Sequence, residues 1–335
     1  MRNSTERTRN HRRCLCTAVA FLVATFGFSI TPLWNAWTGI GNNTFFFSNA
    51  SMNRRSMPCN RDLFYPLFIP RVVFYPRRFF EEGVGRPFLD DWKRNLEIPS
   101  LLRPRFIVFQ RNTTGTNFCQ ALYYHVHKNG GSTMKDFNGN WSKTIWYQSQ
   151  EYQWGASAFL NVTRAILKDI SHRQQQDDIP IFTFVRDPIG RFLSGVGQVL
   201  QYHGRKRIHP CPATSNTTQQ LLSCIVDMIV KRQNFLDGHL TPQSYELYSG
   251  LLGLDVFVDV MDLSKAIGPM VETMGGPSAR LVRPTQSATG RVFRFHLDDS
   301  ALTHPLKRRI CHLYQADVLM LRETGLSVSE CDRLR

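Results

Sequence analysis

From Cys14 to Trp34 the chain carries no charged side chain, and Arg2, Arg7, Arg9, Arg12 and Arg13 precede this stretch against a single acid, Glu6. An apolar run of about 20 residues spans a bilayer as a helix. Arginines on its N-terminal flank keep that flank cytoplasmic, and Trp34 and Trp37 suit the opposite interface. The expected order is a cytoplasmic tail at 1–13, a transmembrane signal anchor at 14–34, a stem at 35–55 and a lumenal remainder. A cleaved signal peptide would show a shorter apolar region ending in a small-x-small site, and no convincing site of that kind follows. The flanking arginines also argue against a buried soluble helix.

Two further patterns agree with a lumenal remainder. Asn-x-Ser/Thr sequons stand at Asn42, Asn49, Asn112, Asn140, Asn161 and Asn216, each a potential glycosylation acceptor. Of the 8 cysteines, Cys14 and Cys16 sit at the membrane edge, leaving Cys59, Cys119, Cys211, Cys224, Cys311 and Cys331. An even set fits a disulfide framework in an oxidising compartment; the spacing does not choose the pairs. No Cys-x-x-Cys pair occurs, which argues against zinc. The formal charge of +15 points to an anionic ligand or polysaccharide partner; nucleic acid fits poorly with the secretory N-terminus.

Residues 56–117 are rich in proline, arginine and phenylalanine, and regular helix is hard to sustain there. They read as an irregular extension packed on a domain at 118–335. Within that domain Leu122–His127 reads as a strand, Ser132–Phe137 as the start of a helix, Ala158–His172 as a helix and Ile181–Val185 as a strand. Ile189, Phe192, Leu193, Val196, Val199 and Leu200 trace one helix face. Leu221–Phe235 reads as a helix, Val256–Val260 as a strand and Leu306–Glu323 as one late helix. This alternation implies an α/β domain with a mainly parallel sheet flanked by helices.

Two segments carry chemistry. In His125-Val126-His127-Lys128-Asn129-Gly130-Gly131-Ser132-Thr133 a strand feeds a glycine pair and two hydroxyl residues. Glycines let backbone amides approach a phosphate, and a following helix start supplies unsatisfied N–H groups. The pattern is not the Gly-x-x-x-x-Gly-Lys-Ser/Thr loop of nucleotide hydrolases. In Val185-Arg186-Asp187-Pro188-Ile189-Gly190-Arg191-Phe192-Leu193-Ser194, Arg186 follows a strand, at the edge where open α/β sheets bind ligands. Its planar fork matches phosphate oxygens. Taken singly, each has a plainer reading: a glycine-rich turn, a structural Arg186–Asp187 pair, a solvated Arg191.

Together the segments resemble the paired signatures of the PAPS-dependent sulfotransferases: a Lys-Thr-Gly-Gly-Thr phosphosulfate loop, then an Arg-Asp-Pro-x-x-Arg-Phe-x-Ser segment. PAPS is 3′-phosphoadenosine 5′-phosphosulfate. The likeness covers roughly residues 118–325 and is closest to the Golgi glycan branch typified by heparan sulfate 6-O-sulfotransferases. It implies the sulfotransferase fold, with a P-loop-like turn, and transfer of a sulfuryl group to a glycan hydroxyl in the Golgi, without a metal. By the same resemblance Lys128, Asn129, Gly130, Gly131, Ser132 and Thr133 would hold the 5′-phosphosulfate. Arg186 and Ser194 would hold the 3′-phosphate, His125 would be the base and Lys128 would stabilise the leaving phosphate. Asn129 departs from the usual Thr, and His127 from the usual Gln, so two histidines compete as base.

A third segment, Asp237-Gly238-His239-Leu240-Thr241-Pro242-Gln243, is similar to a His-x-x-Pro-Gln element of several Golgi sulfotransferases. With His127 it offers His239 and Gln243 for an acceptor cleft; the plainer reading is a helix stopped at Pro242. The basic run Arg205-Lys206-Arg207 reads as a solvated loop or as a contact for an acidic glycan, and Lys307-Arg308-Arg309 as a solvated helix face. Competing functions are a lumenal nucleotide-sugar glycosyltransferase, for which Asp177-Asp178 is the only acidic pair of the right look, and a non-catalytic glycan-binding protein on a sulfotransferase scaffold.

Overall fold

A computed structural model describes residues 70–95, 106–114, 117–136, 142–146, 180–203, 208, 211–251, 256–274, 290–292, 295–326 and 330–334. The tail, anchor and stem lie outside these residues, as do Ala158–His172, Asp177-Asp178 and Arg205–Arg207. Among the described residues no helix is long and apolar enough to cross a membrane.

Six strands form one sheet: β1 (Arg71–Phe74), β2 (Phe106–Thr114), β3 (Asn117–Tyr124), β4 (Ser142–Trp146), β5 (Ile181–Val185) and β6 (Val258–Asp262), in the order β1-β6-β5-β3-β2-β4. Only β3–β5 and β5–β6 run parallel; β1–β6, β2–β3 and β2–β4 are antiparallel. The sheet is therefore mixed rather than mainly parallel. Strands β2 and β3 are joined directly as a hairpin, a short connection that only antiparallel neighbours permit. A two-stranded ribbon, β7 (Gly290–Val292) with β8 (Phe295–Leu297), stands apart.

The stretch expected to be irregular supplies β1 and β2 to this sheet, together with α1 (Pro76–Glu81) and α2 (Leu89–Arg94). Pro76 stands at the start of α1, where its missing N–H costs nothing. Phe79, Phe80 and Trp92 bury their rings in the core, so the extension is part of the folded unit rather than a wrapping.

Alternation sorts the strand residues onto two faces. Leu122, Tyr124, Ile181 and Val185 join one cluster; Ala121, Tyr123, Phe182 and Phe184 join the other. The second face is covered by α3 (Gly131–Asp136), through Met134, and by α8 (Leu263–Thr273). The first carries α4 (Pro188–Gln198), α6 (Thr218–Arg232), α7 (Gln243–Gly250), α9 (His304–Leu313) and α10 (Gln315–Thr324); short α5 (Cys211–Thr214) and α11 (Glu330–Arg333) complete the set. All five residues of β5 are buried, as befits a strand flanked by parallel neighbours and covered on both faces. The single late helix expected at 306–323 is two helices, broken at Tyr314, whose buried hydroxyl donates to the Leu240 carbonyl.

Disulfides join Cys211 to Cys224 and Cys311 to Cys331; Cys59 lies outside the described residues and Cys119 is on β3. Asn112 is on β2, Asn216 is exposed ahead of α6, and the sequons at Asn42, Asn49, Asn140 and Asn161 lie outside the described residues.

Candidate functional site

Because β3 and β5 are parallel neighbours, the loops that leave their C-terminal ends emerge side by side. The His125–Gly130 loop thereby meets Arg186, whose Nη1 donates to the Lys128 carbonyl at 3.3 Å. Strand β3 ends at Tyr124, three residues short of the expected end, so His125 and His127 lie on the loop rather than on the strand.

The loop is tightly folded. Lys128 holds φ = +65° and Gly130 φ = +82°. A lysine in the left-handed region is strained and persists where its surroundings fix it. At Gly130 any side chain would also strike Ile267 and Leu263 of α8. At Gly131 a Cβ would overlap the His125 ring, so this glycine lets the imidazole lie against the backbone of the turn. Ser132 and Thr133 stand in the first turn of α3.

The inner side of the loop is bound to the protein. Asn129 is fully buried; its Nδ2 donates to the Phe184 carbonyl at 2.8 Å and to Gln243 Oε1 at 2.7 Å. Its own N–H turns back to the Val126 carbonyl, and Tyr123 donates its hydroxyl to the Asn129 carbonyl at 2.6 Å. Gln243 in turn donates from Nε2 to the Arg186 carbonyl at 2.9 Å and accepts from the Arg186 N–H. Asn129 and Gln243 are thus a clasp joining the loop, β5 and α7. Asn129 turns its side chain to the inner side of the loop, and Gln243, also fully buried, does not line an open cleft. Pro242 does not stop a helix; it caps the start of α7.

Arg191 is completely buried rather than solvated. It donates to the His127 and Thr241 carbonyls and, at 2.5 Å, to Glu246 Oε1. Glu246 Oε2 accepts from the His127 backbone N–H at 3.0 Å and faces His127 Nδ1 at 2.7 Å. His239 sits beside it, ring centroids 4.5 Å apart, with its Nδ1 2.6 Å from Asp237 Oδ1. His127 and His239 are therefore brought together, each with a carboxylate partner. Asp317, buried on α10, accepts the Gln243 and Ser244 N–H groups and the Ser244 hydroxyl. Burial raises its pKa in spite of Arg191 and these bonds. Glu246 and Asp317 escaped the sequence reading, for neither lies in a motif, and their partners sit 55 or more residues away along the chain.

The outer side is sparsely bonded. Lys128 Nζ donates to Gln198 Oε1 at 3.0 Å. Residues 191, 194 and 198 share one stripe of α4 by helical spacing, so Lys128 reaches the stripe that carries Ser194. Ser194 Oγ is buried and has no hydrogen-bond partner among the described residues. Burial, then the positive fields of Arg186 and Arg191, push the Lys128 pKa down to about 8. Burial and Arg191 likewise lower that of Arg186, against an opposing pull from Asp187.

No family model matches the chain, and no curated protein or solved structure matches it.

These features fit an anionic ligand. An ammonium and a guanidinium under like charge gain when an anion arrives, and Ser194 Oγ offers an uncommitted donor. Among the described residues no cluster of three or more His, Cys, Asp or Glu could hold a metal ion.

Proposed function

We propose that the protein transfers a sulfuryl group from PAPS to a hydroxyl, on a glycan, within the secretory lumen, held there by the anchor at 14–34. The observation that carries this reading is the meeting of Lys128 and Arg186 beside the Ser194 stripe of α4. A doubly phosphorylated nucleotide needs cationic groups at both ends, and the two segments that resemble the sulfotransferase signatures lie within reach of one ligand. Asn129, which stands where the resembled loop usually has Thr, has a structural task in the clasp and leaves the amides of Gly130 and Gly131 to approach an anion.

The donor would supply an activated sulfuryl group. His125, lying against Gly131, would take the proton of the acceptor hydroxyl, whose oxygen forms the new bond to sulfur. An imidazole titrating near pH ~6.5 suits that task. As the bond to the 5′-phosphate breaks, Lys128 would balance the charge left on the phosphate oxygen, with loop amides as preorganised donors. Arg186 and Ser194 would hold the 3′-phosphate and fix the donor's orientation. His127 and His239 would stand by the acceptor.

The test is incubation with labelled PAPS and a panel of glycans and desulfated glycosaminoglycans, alongside calorimetric titration with PAP, UDP and GDP. The expected outcome is PAP binding and label transfer, with His125→Ala binding PAP normally yet losing about 10²–10⁴-fold in rate. Binding of UDP or GDP in preference to PAP would favour a glycosyltransferase; glycan binding without label transfer would favour a non-catalytic protein.

A further inference from the structure

The C-terminal helix α11 lies far along the chain from Arg186, yet its first backbone amide reaches the residue next to it. The Glu330 N–H donates to Asp187 Oδ2 at 2.9 Å. The other oxygen, Asp187 Oδ1, caps α4 by accepting the N–H groups of Ile189, at 2.8 Å, and Gly190. One carboxylate therefore spans two helices while its charge pulls on the Arg186 guanidinium. That guanidinium packs over Gly190, where an added Cβ would come within 3.1 Å of Nη2.

Helix α11 has only four residues and could not hold itself in place. It is fixed from outside. Cys331 is tied to Cys311 of α9. Glu330 pairs with Lys307 at 2.6 Å, Asp332 pairs with Arg322, and Arg308 Nε donates to the Leu334 carbonyl at 2.9 Å. Nearly every one of these ties involves residues next to the amide that Asp187 accepts.

We propose that Asp187 is a positioning residue for Arg186 and that the disulfide-anchored C-terminal helix locks it in place, so that donor affinity depends on the Cys311–Cys331 bond. The proposal rests on the reading of Arg186 as a nucleotide-phosphate ligand. Without the Glu330 amide, Asp187 loses its second anchor, its cap bonds to the Ile189 and Gly190 amides loosen, and the carboxylate is free to swing onto the Arg186 fork in competition with phosphate.

Glu330→Pro removes that amide at a helix position where proline is tolerated. Lys307→Met breaks the Glu330 ion pair from the far side and leaves the amide intact. In Glu330→Pro, PAP affinity and the KM for PAPS should weaken about fivefold or more, a usual size for coupling between sites, while the KM for acceptor stays unchanged. The paired variant Cys311→Ala with Cys331→Ala should move in the same direction, and Lys307→Met, which removes one tie but leaves the amide and the disulfide in place, should weaken PAP by less than Glu330→Pro does. Hydrogen exchange read on the free protein should quicken at the Ile189 and Gly190 amides in Glu330→Pro. Unchanged exchange there overturns the lock whether or not PAP binds. If exchange quickens but the parent protein binds no PAP, the lock stands and the nucleotide reading falls. If the parent binds PAP and Glu330→Pro binds it equally well, the lock does not serve the site.

Discussion

On its inner side the loop from His125 to Gly130 is densely bonded: Asn129, Gln243, Arg191 and Glu246 tie it to β5 and α7. Among the described residues Lys128 and Arg186, on its outer side, each make one side-chain hydrogen bond, and Ser194 Oγ has none. Both sides are polar and both are largely buried, yet their electrostatics differ. Inside, each charge meets an opposite charge or a backbone dipole, which is what makes its burial tolerable. Outside, cations face cations. The inner side can only hold shape, whereas the outer side gains from an anion that is not part of the protein.

This contrast predicts that variants on the two sides separate stability from binding. The largest effect belongs to the inner side. Glu246→Ala leaves the Arg191 guanidinium buried without its carboxylate and should lower unfolding stability by about 3–5 kcal/mol, read as a fall in the denaturant midpoint. If stability is unchanged, the inner network is not what fixes the loop. Arg186→Ala, on the outer side, should weaken PAP by about 2–3 kcal/mol in calorimetry. Its stability should stay close to that of the parent, since the lost bond to Lys128 is offset by relief of repulsion. Unaltered PAP affinity would remove Arg186 from the site.

The smallest effect is a pH dependence with opposite signs. The Lys128 pKa falls from 10.5 to about 8 in the fold. Between these values the unfolded chain holds a proton that the native state lacks, so this group makes stability rise as pH rises through the window. Anion binding needs the charged ammonium, so PAP affinity should fall over the same rise. Lys128→Met should flatten both trends. Parallel trends, or trends that persist in the variant, would detach the effect from Lys128.

Much of the scaffold was legible in the sequence. Ile181–Val185 is an apolar run broken only by the strand-former Thr183, bounded by a proline and a charged turn, and it forms β5 with those limits. The apolar face from Ile189 onward forms α4, capped by Asp187. Strands β1 and β2 were hidden because the prolines around them, Pro70, Pro76 and Pro104, read as breakers of regular structure. The mixed sheet was hidden because strand direction follows from connections and partners, which the residues of one strand do not encode. At the site, the glycine turn and Arg186 were legible as motifs, since phosphate recognition uses local backbone and a single fork. Arg191 was misread because helical spacing does not report depth. The Asn129–Gln243 clasp and the Glu246 carboxylate were hidden because such bonds join residues more than a hundred positions apart.

The outermost strand β1 pairs along its whole length with β6, from Arg71 with Met261 to Phe74 with Val258. A protease that released this unit intact would therefore have to cut ahead of Arg71. Severance any later would strip the border from the sheet and leave the backbone of β6 open to pairing with a neighbouring molecule. Only the chain upstream of Arg71 could be shortened or shed without fraying the edge that backs β5 and the Arg186 turn.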